Sequence, residues 1–308
     1  MSSKGPIIGP LLGGYLAQSI GWRWDFWIVL AAATPITLLL ITCTKETSHK
    51  VIIQRKTIHL RQSLANESLK SCYGDSKYTS TSQIILWSLT KPLKMLLLSP
   101  LILGLSLYIA FVFGVVYLLY TTIPSVFEDQ YKFSTGQTGL VYLALGLGNI
   151  LAWLLFTFFS DRMITNLATA NDQTFTPEMR LRIAISFGIL LPITLFWYGW
   201  SAHYNVHWAC TILSLVPFGF GIMGLFLPIT TYLVDSYPMC AASVTAANVI
   251  LRSVVGALLP LAGPSLYSSL GLGWGNSLLG FIALLMVPLP LVFYKYGAKL
   301  RNATGVDF

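Results

Sequence analysis

Residues 5–28 read GPIIGPLLGGYLAQSIGWRWDFWI, and the reading of this stretch decides the fold. Its first ten residues hold Pro6, Pro10, Gly5, Gly9, Gly13 and Gly14 among apolar side chains. Proline and glycine break helices in water. Inside a bilayer the same pattern reads differently. Gly5, Gly9 and Gly13 recur every four residues and share one helix face. A face without side chains lets a neighbouring helix approach closely, as small-residue faces do in membranes. Pro6 and Pro10 each remove a backbone donor and bend the helix, and buried neighbours re-satisfy the freed carbonyls. The stretch therefore predicts a bent, closely packed membrane helix.

Composition agrees. Of 308 residues, 55% are hydrophobic, 13% aromatic and only 10% charged, where a soluble domain carries about a quarter charged residues. A soluble fold of this length has nowhere to hide so much apolar surface. The net charge of +8 does not mark a nucleic-acid binder, because the basic residues gather in loops between apolar runs. Cys43, Cys72, Cys210 and Cys240 are far apart and read as unpaired thiols. His203 and His207 have helical spacing but no third ligand nearby, so no metal is expected. No GxxxxGK[ST] is present to support ATP-driven work, and no catalytic cluster suggests an enzyme. No cofactor is expected.

Eight apolar runs follow one another: 5–20, 26–44, 95–126, 136–159, 181–201, 208–237, 244–270 and 275–294. Crossing about 30 Å of hydrocarbon takes about 20 helical residues; the first run, with 16, falls short. The runs are long and lack barrel-type alternation, so the expected fold is all-α, a polytopic bundle of about eight transmembrane helices. Residues 1–44 carry two spans. Residues 45–94 form a polar, Ser- and Thr-rich central loop, expected to be partly ordered at most. Residues 95–308 carry six spans and a short tail.

Charge sets the orientation. The central loop holds nine Lys or Arg, the segment from 160 to 182 three, and the tail three, whereas the opposite side carries only Arg23 and Lys132. The positive-inside rule then puts the central loop and both termini in the cytoplasm.

Residues 5–28 resemble the antiporter motif of the fifth helix in major facilitator superfamily transporters, most closely the twelve-helix drug:proton antiporter branch of fungi. The resemblance continues through "KET" at 45–47, "KPLKMLLLSP" at 91–100, "PEMRL" at 177–181, "FWYGWSA" at 196–202, "VHW" at 206–208, "YLVDSY" at 232–237 and "AASVTAANVILRS" at 241–253. It implies a major-facilitator-type bundle in which this chain carries helices five to twelve, so that the first four are missing and 1–44 is the remnant of an N-terminal bundle. It also implies an alternating-access carrier in the plasma membrane that exports drugs, toxins or secondary metabolites. Its partners would be the lipid bilayer, a small amphipathic substrate and protons as the coupling ion. In that family the fifth helix packs on helix eleven and seals the pathway against leak. The alternative is a truncated, non-transporting membrane protein, because the missing helices would supply one cavity wall and the basic residue tied to proton coupling. Coupled transport by this chain alone is not expected.

Few ionisable residues lie at membrane depth, where they are costly and usually functional. Arg252 sits within run seven, one turn after Asn248, and Asp235 ends run six. Arg252 is expected either to pair with Asp235 near the cytoplasmic surface or to meet an anionic ligand. Asp161 and Arg162 open the loop after run four and resemble the Asp-Arg of a repeated cytoplasmic gating motif, although its leading glycine is absent. Together Asp161, Arg162, Asp235 and Arg252 form the candidate cytoplasmic gate. Tyr117 and Tyr120 in run three, with Asn149 and Asn248, are candidates to line a cavity. The FGFGIMG stretch at 218–224 reads as small and flexible.

Overall fold

The computed structural model describes residues 5–47, 49–64, 69, 81–170 and 176–303. Among these, regular structure is entirely helical: α1 (Gly5–Ser19), α2 (Trp22–Cys43), α3 (His49–Leu64), α4 (Thr81–Leu98), α5 (Pro100–Asp129), α6 (Thr135–Ala170), α7 (Leu181–Gly188), α8 (Leu190–His203), α9 (Trp208–Ser236), α10 (Ala241–Met286) and α11 (Pro288–Ala303). Short 3-10 turns at Pro177–Arg180 and Pro238–Cys240 precede α7 and α10. The chain divides into two compact units, Gly21–Thr90 on one hand and α1 with the chain from Lys91 onward on the other.

Six described stretches are long and apolar enough to cross a membrane: 22–43, 100–129, 135–167, 177–203, 208–236 and 241–300. The last runs for 60 residues, about 90 Å at 1.5 Å per residue, which is too long for one crossing. It turns at Gly271, whose φ of 71° and ψ of 171° lie in a region essentially reserved for glycine. The corner is buttressed from both sides. Tyr267 Oη donates to Asn276 Oδ1 at 3.1 Å, and Asn276 Nδ2 donates to the Leu272 carbonyl at 2.9 Å. The described part of helix α1, at 15 residues, reaches about 22 Å.

Two boundaries stand out against those read off the apolar runs. Residues 95–98 belong to α4, and the chain breaks at Ser99. There the backbone is extended, Ser99 Oγ accepts from the Ile102 N–H at 3.5 Å, and Pro100 takes the first helical position. That is the capping chemistry that starts a new helix. Helix α6 continues through Ala170, so Asp161 and Arg162 stand on a helix and not in a loop. No glycine or proline interrupts 135–170 after Gly148. Among the described residues the central stretch holds α3 and most of α4. The sequence of α3, HKVIIQRKTIHLRQSL, contains no glycine or proline and is rich in residues that tolerate a helix.

In the larger unit α5 packs on the first half of α10, α6 on α9, and α8 on both α9 and the second half of α10. The α6–α9 crossing is a near contact of backbones. A Cβ on Gly148 would run into the Val216 carbonyl, and one on Gly219 into the Leu145 carbonyl. The stretch 218–224 is accordingly a packed part of α9 and not a flexible one. Tyr108, Phe127 and Tyr232 are fully buried in the bundle, while Leu97, Leu261 and Leu285 are more than 70% exposed. An apolar exterior of this kind is stable only against lipid; the protein is an integral, multi-pass membrane protein.

Candidate functional site

Asn248, Arg252 and Gly256 follow one another at i, i+4 and i+8 on α10 and share a face. That face meets α5. Tyr117 lies against Gly256, where a Cβ would come within 2.9 Å of its ring. One turn away, the Arg252 guanidinium lies 4.5 Å from the ring centre of Phe113 in α5 and 5.4 Å from that of Phe226 in α9. The two phenylalanines meet edge to face at 5.2 Å. A cation over aromatic faces is stabilised by the ring quadrupoles, but its charge is not neutralised. Arg252 is half-buried and, among the described residues, has no carboxylate within ion-pair distance. Asn248 is 2% exposed, and its Oδ1 has no hydrogen-bond partner among the described residues.

The tyrosines extend this polar strip. Tyr117 and Tyr120 rings meet edge to face at 6.1 Å, and Tyr142 of α6 stands 5.7 Å from Tyr120. Tyr142 Oη donates to the Tyr120 carbonyl at 2.9 Å. Asn149 does not join them. It is buried at the α6–α9 crossing, with its backbone N beside Gly219.

Asp235 is held elsewhere. Arg180, in the turn before α7, donates from Nε to Asp235 Oδ2 at 2.5 Å. The expected Asp235–Arg252 pair is therefore replaced by Asp235–Arg180. The physical reason is distance along α9 and α10: the rings that receive Arg252 lie deep in the bundle, whereas Asp235 is one residue from the end of α9. Ser99 at the start of α5 reaches the same end, 3.2 Å from Tyr237 Oη. Arg162 is exposed on α6. The side chains of Asp161 and Pro6 lie outside the described residues, as do the surroundings of Gly5.

The opening motif packs against α6, not helix eleven of the expected scheme, which here is the first half of α10. The contact face is Pro10, Gly14 and Gln18. Gly139 approaches the Pro10 carbonyl, Gly14 faces the Thr135 carbonyl, and Gln18 Oε1 accepts from the Gly136 N–H at 2.9 Å. Gly9 and Gly13 have no neighbour within 4 Å of where a Cβ would stand. The face that packs is thus one position round from the Gly5–Gly9–Gly13 stripe.

Reading the sequence missed Phe226, Arg180 and Asn276. The rings cradling Arg252 are ordinary aromatic members of apolar runs. Arg180 reads as one more orienting charge. Asn276 is more legible, because an amide at membrane depth needs a partner.

Comparison with known proteins follows the same lines. The sequence profile of the Major Facilitator Superfamily matches residues 1–260. The chain is 44% identical over 304 residues to the MFS-type transporter penM of Penicillium rubens, covering 96% of this chain and 59% of that protein. It is 48% identical over 298 residues to the MFS-type transporter atr4 of Stereocaulon alpinum, covering 96% and 53%. It is 47% identical over 303 residues to the MFS transporter prlG of a fungal species, covering 96% and 63%. The chain thus spans little more than half the length of these curated relatives. Helical bundle, apolar exterior and profile match agree: this chain belongs to the Major Facilitator Superfamily.

Proposed function

We infer that the chain forms part of an alternating-access carrier that exports a small amphipathic organic molecule in exchange for protons. Its relatives are named as transporters. The observation that carries the substrate side of this reading is Arg252. A half-buried cation with ring faces beneath it and no acidic partner among the described residues is costly at membrane depth. An aromatic molecule bearing an anionic group offsets that cost: its charge meets the guanidinium, and its ring extends the Phe113, Tyr117 and Tyr120 strip. In this reading Asn248 and the tyrosines orient the molecule. Both termini and the 45–94 stretch face the cytoplasm of the plasma membrane, with 95–308 as the six-span half.

The test is ligand-dependent thermal unfolding of the purified chain in detergent, with aromatic carboxylic acids and their methyl esters as paired probes. The acids raise the unfolding temperature of the unaltered chain, the esters do not, and Arg252→Gln removes the difference. Equal stabilisation by acids and esters overturns the anionic reading. Efflux is tested separately in liposomes carrying a version extended to the length of the relatives, with and without an imposed pH gradient. Efflux indifferent to the gradient overturns proton exchange.

A further inference from the structure

Helices α7 and α11 pack on each other in opposite directions: Gly188 lies near Val287, and Gly297 near Glu178. Between them is a groove of about 490 Å³. Each helix lines it with a triplet. Arg182, Ile185 and Ser186 come from α7; Leu291, Tyr294 and Lys295 come from α11. The spacing is i, i+3, i+4 in both, so each triplet occupies one helix face. Because the helices run in opposite directions, Arg182 at the start of α7 and Lys295, midway along α11 and one turn after Leu291, fall at the same end of the groove. Ile185 and Leu291 lie about one turn further along their helices from that end, Ile185 half-buried and Leu291 exposed. Among the described residues no acidic side chain lines it. The groove thus has a doubly cationic mouth with the Tyr294 hydroxyl beside it and an apolar floor leading away from it, where Ser186 also lies.

We propose that this groove binds the headgroup of an anionic phospholipid, with the phosphate between Arg182 and Lys295 and an acyl chain along Ile185 and Leu291. The charges are complementary, and guanidinium and ammonium groups are the side chains that hold phosphate. The apolar floor is what separates a lipid from a free anion, which has no use for it. The position suits the ligand as well. Lys299 follows Lys295 by one turn on α11, towards this same end, in keeping with the charge bias that marks the cytoplasmic leaflet, where anionic lipids are concentrated.

The experiment is native mass spectrometry of the purified chain in detergent with equal mole fractions of dioleoylphosphatidylserine and dioleoylphosphatidylcholine. The expected result is a preference of about tenfold or more for phosphatidylserine, from two basic contacts. Arg182→Gln with Lys295→Gln abolishes that preference. Lys299→Gln, which lies outside the groove, leaves it unchanged. Each single glutamine variant lowers it at least twofold by the same reasoning, which keeps the test decisive should the double variant fail to fold. Equal retention of the two lipids overturns the proposal. So does equal loss in Lys299→Gln, which indicates a diffuse basic surface, and so does displacement of phosphatidylserine by equimolar inorganic phosphate, which indicates a free-anion site.

Discussion

The Arg252 guanidinium lies 4.5 Å above the Phe113 ring and 5.4 Å from the Phe226 ring, so one cation joins α10 to both α5 and α9. Planarity matters in this arrangement, since a guanidinium stacks on a ring face in a way an ammonium does not. Arg252→Lys is expected to keep the charge and still destabilise the bundle by about 0.5–2 kcal/mol. Phe113→Leu should do the same. Thermal unfolding in detergent measures both, and an Arg252→Lys variant as stable as the parent would mean that the rings do not hold the cation.

Arg180 and Asp235 join the turn before α7 to the end of α9, with side chains 21% and 29% exposed. Partial exposure limits the value of the pair. A double-mutant cycle of Arg180→Ala and Asp235→Ala should give a coupling of about 0.5–1 kcal/mol, and a smaller one at high salt. Zero coupling at low salt would show that the pair contributes only orientation.

The glycines of α1 and of the α6–α9 crossing should respond oppositely to the same substitution. Gly148→Ala or Gly219→Ala places a methyl into a facing carbonyl, with an expected cost of about 1–3 kcal/mol. Gly13→Ala meets open space in this chain and should be neutral or stabilising by up to about 1 kcal/mol through helix propensity. Comparing the three melting temperatures checks this. A destabilising Gly13→Ala would indicate a neighbour on that face.

Ser99 starts α5 and touches Tyr237. Removing its hydroxyl in Ser99→Ala should cost about 1 kcal/mol through the lost cap. Tyr237→Phe, which spares the cap, should cost less. Hydrogen exchange in the first turn of α5 distinguishes the two, because only the cap variant should loosen it.

The helical membrane fold was legible because lipid demands long apolar runs, and those runs are visible one residue at a time. Boundaries were less so. The break at Ser99 sits inside continuous hydrophobicity and is announced only by the Ser-Pro pair, while α6 passes through Asp161 and Arg162 with no hydropathy signal to mark it. The candidate site was legible in part. Arg252, Asn248, Tyr117 and Tyr120 stood out as polar or amphipathic groups in apolar surroundings, and the fold brings them to one strip. Their partners did not stand out. Which aromatic ring receives Arg252, and that Asp235 turns to Arg180, depend on contacts between helices far apart in sequence. The glycine stripe shows the same limit. Small residues mark where close approach is possible, but the neighbour arrived at Pro10, Gly14 and Gln18.

Gly271 reaches beyond local geometry. Two membrane crossings meet there at a single residue, and the Tyr267–Asn276 hydrogen bond spans the corner. A connection without slack behaves as a crank: when one arm tilts, the other must swing with it. Lengthening the corner by a few flexible residues would uncouple the arms while leaving each crossing intact, separating motion that depends on their linkage from motion either helix makes alone.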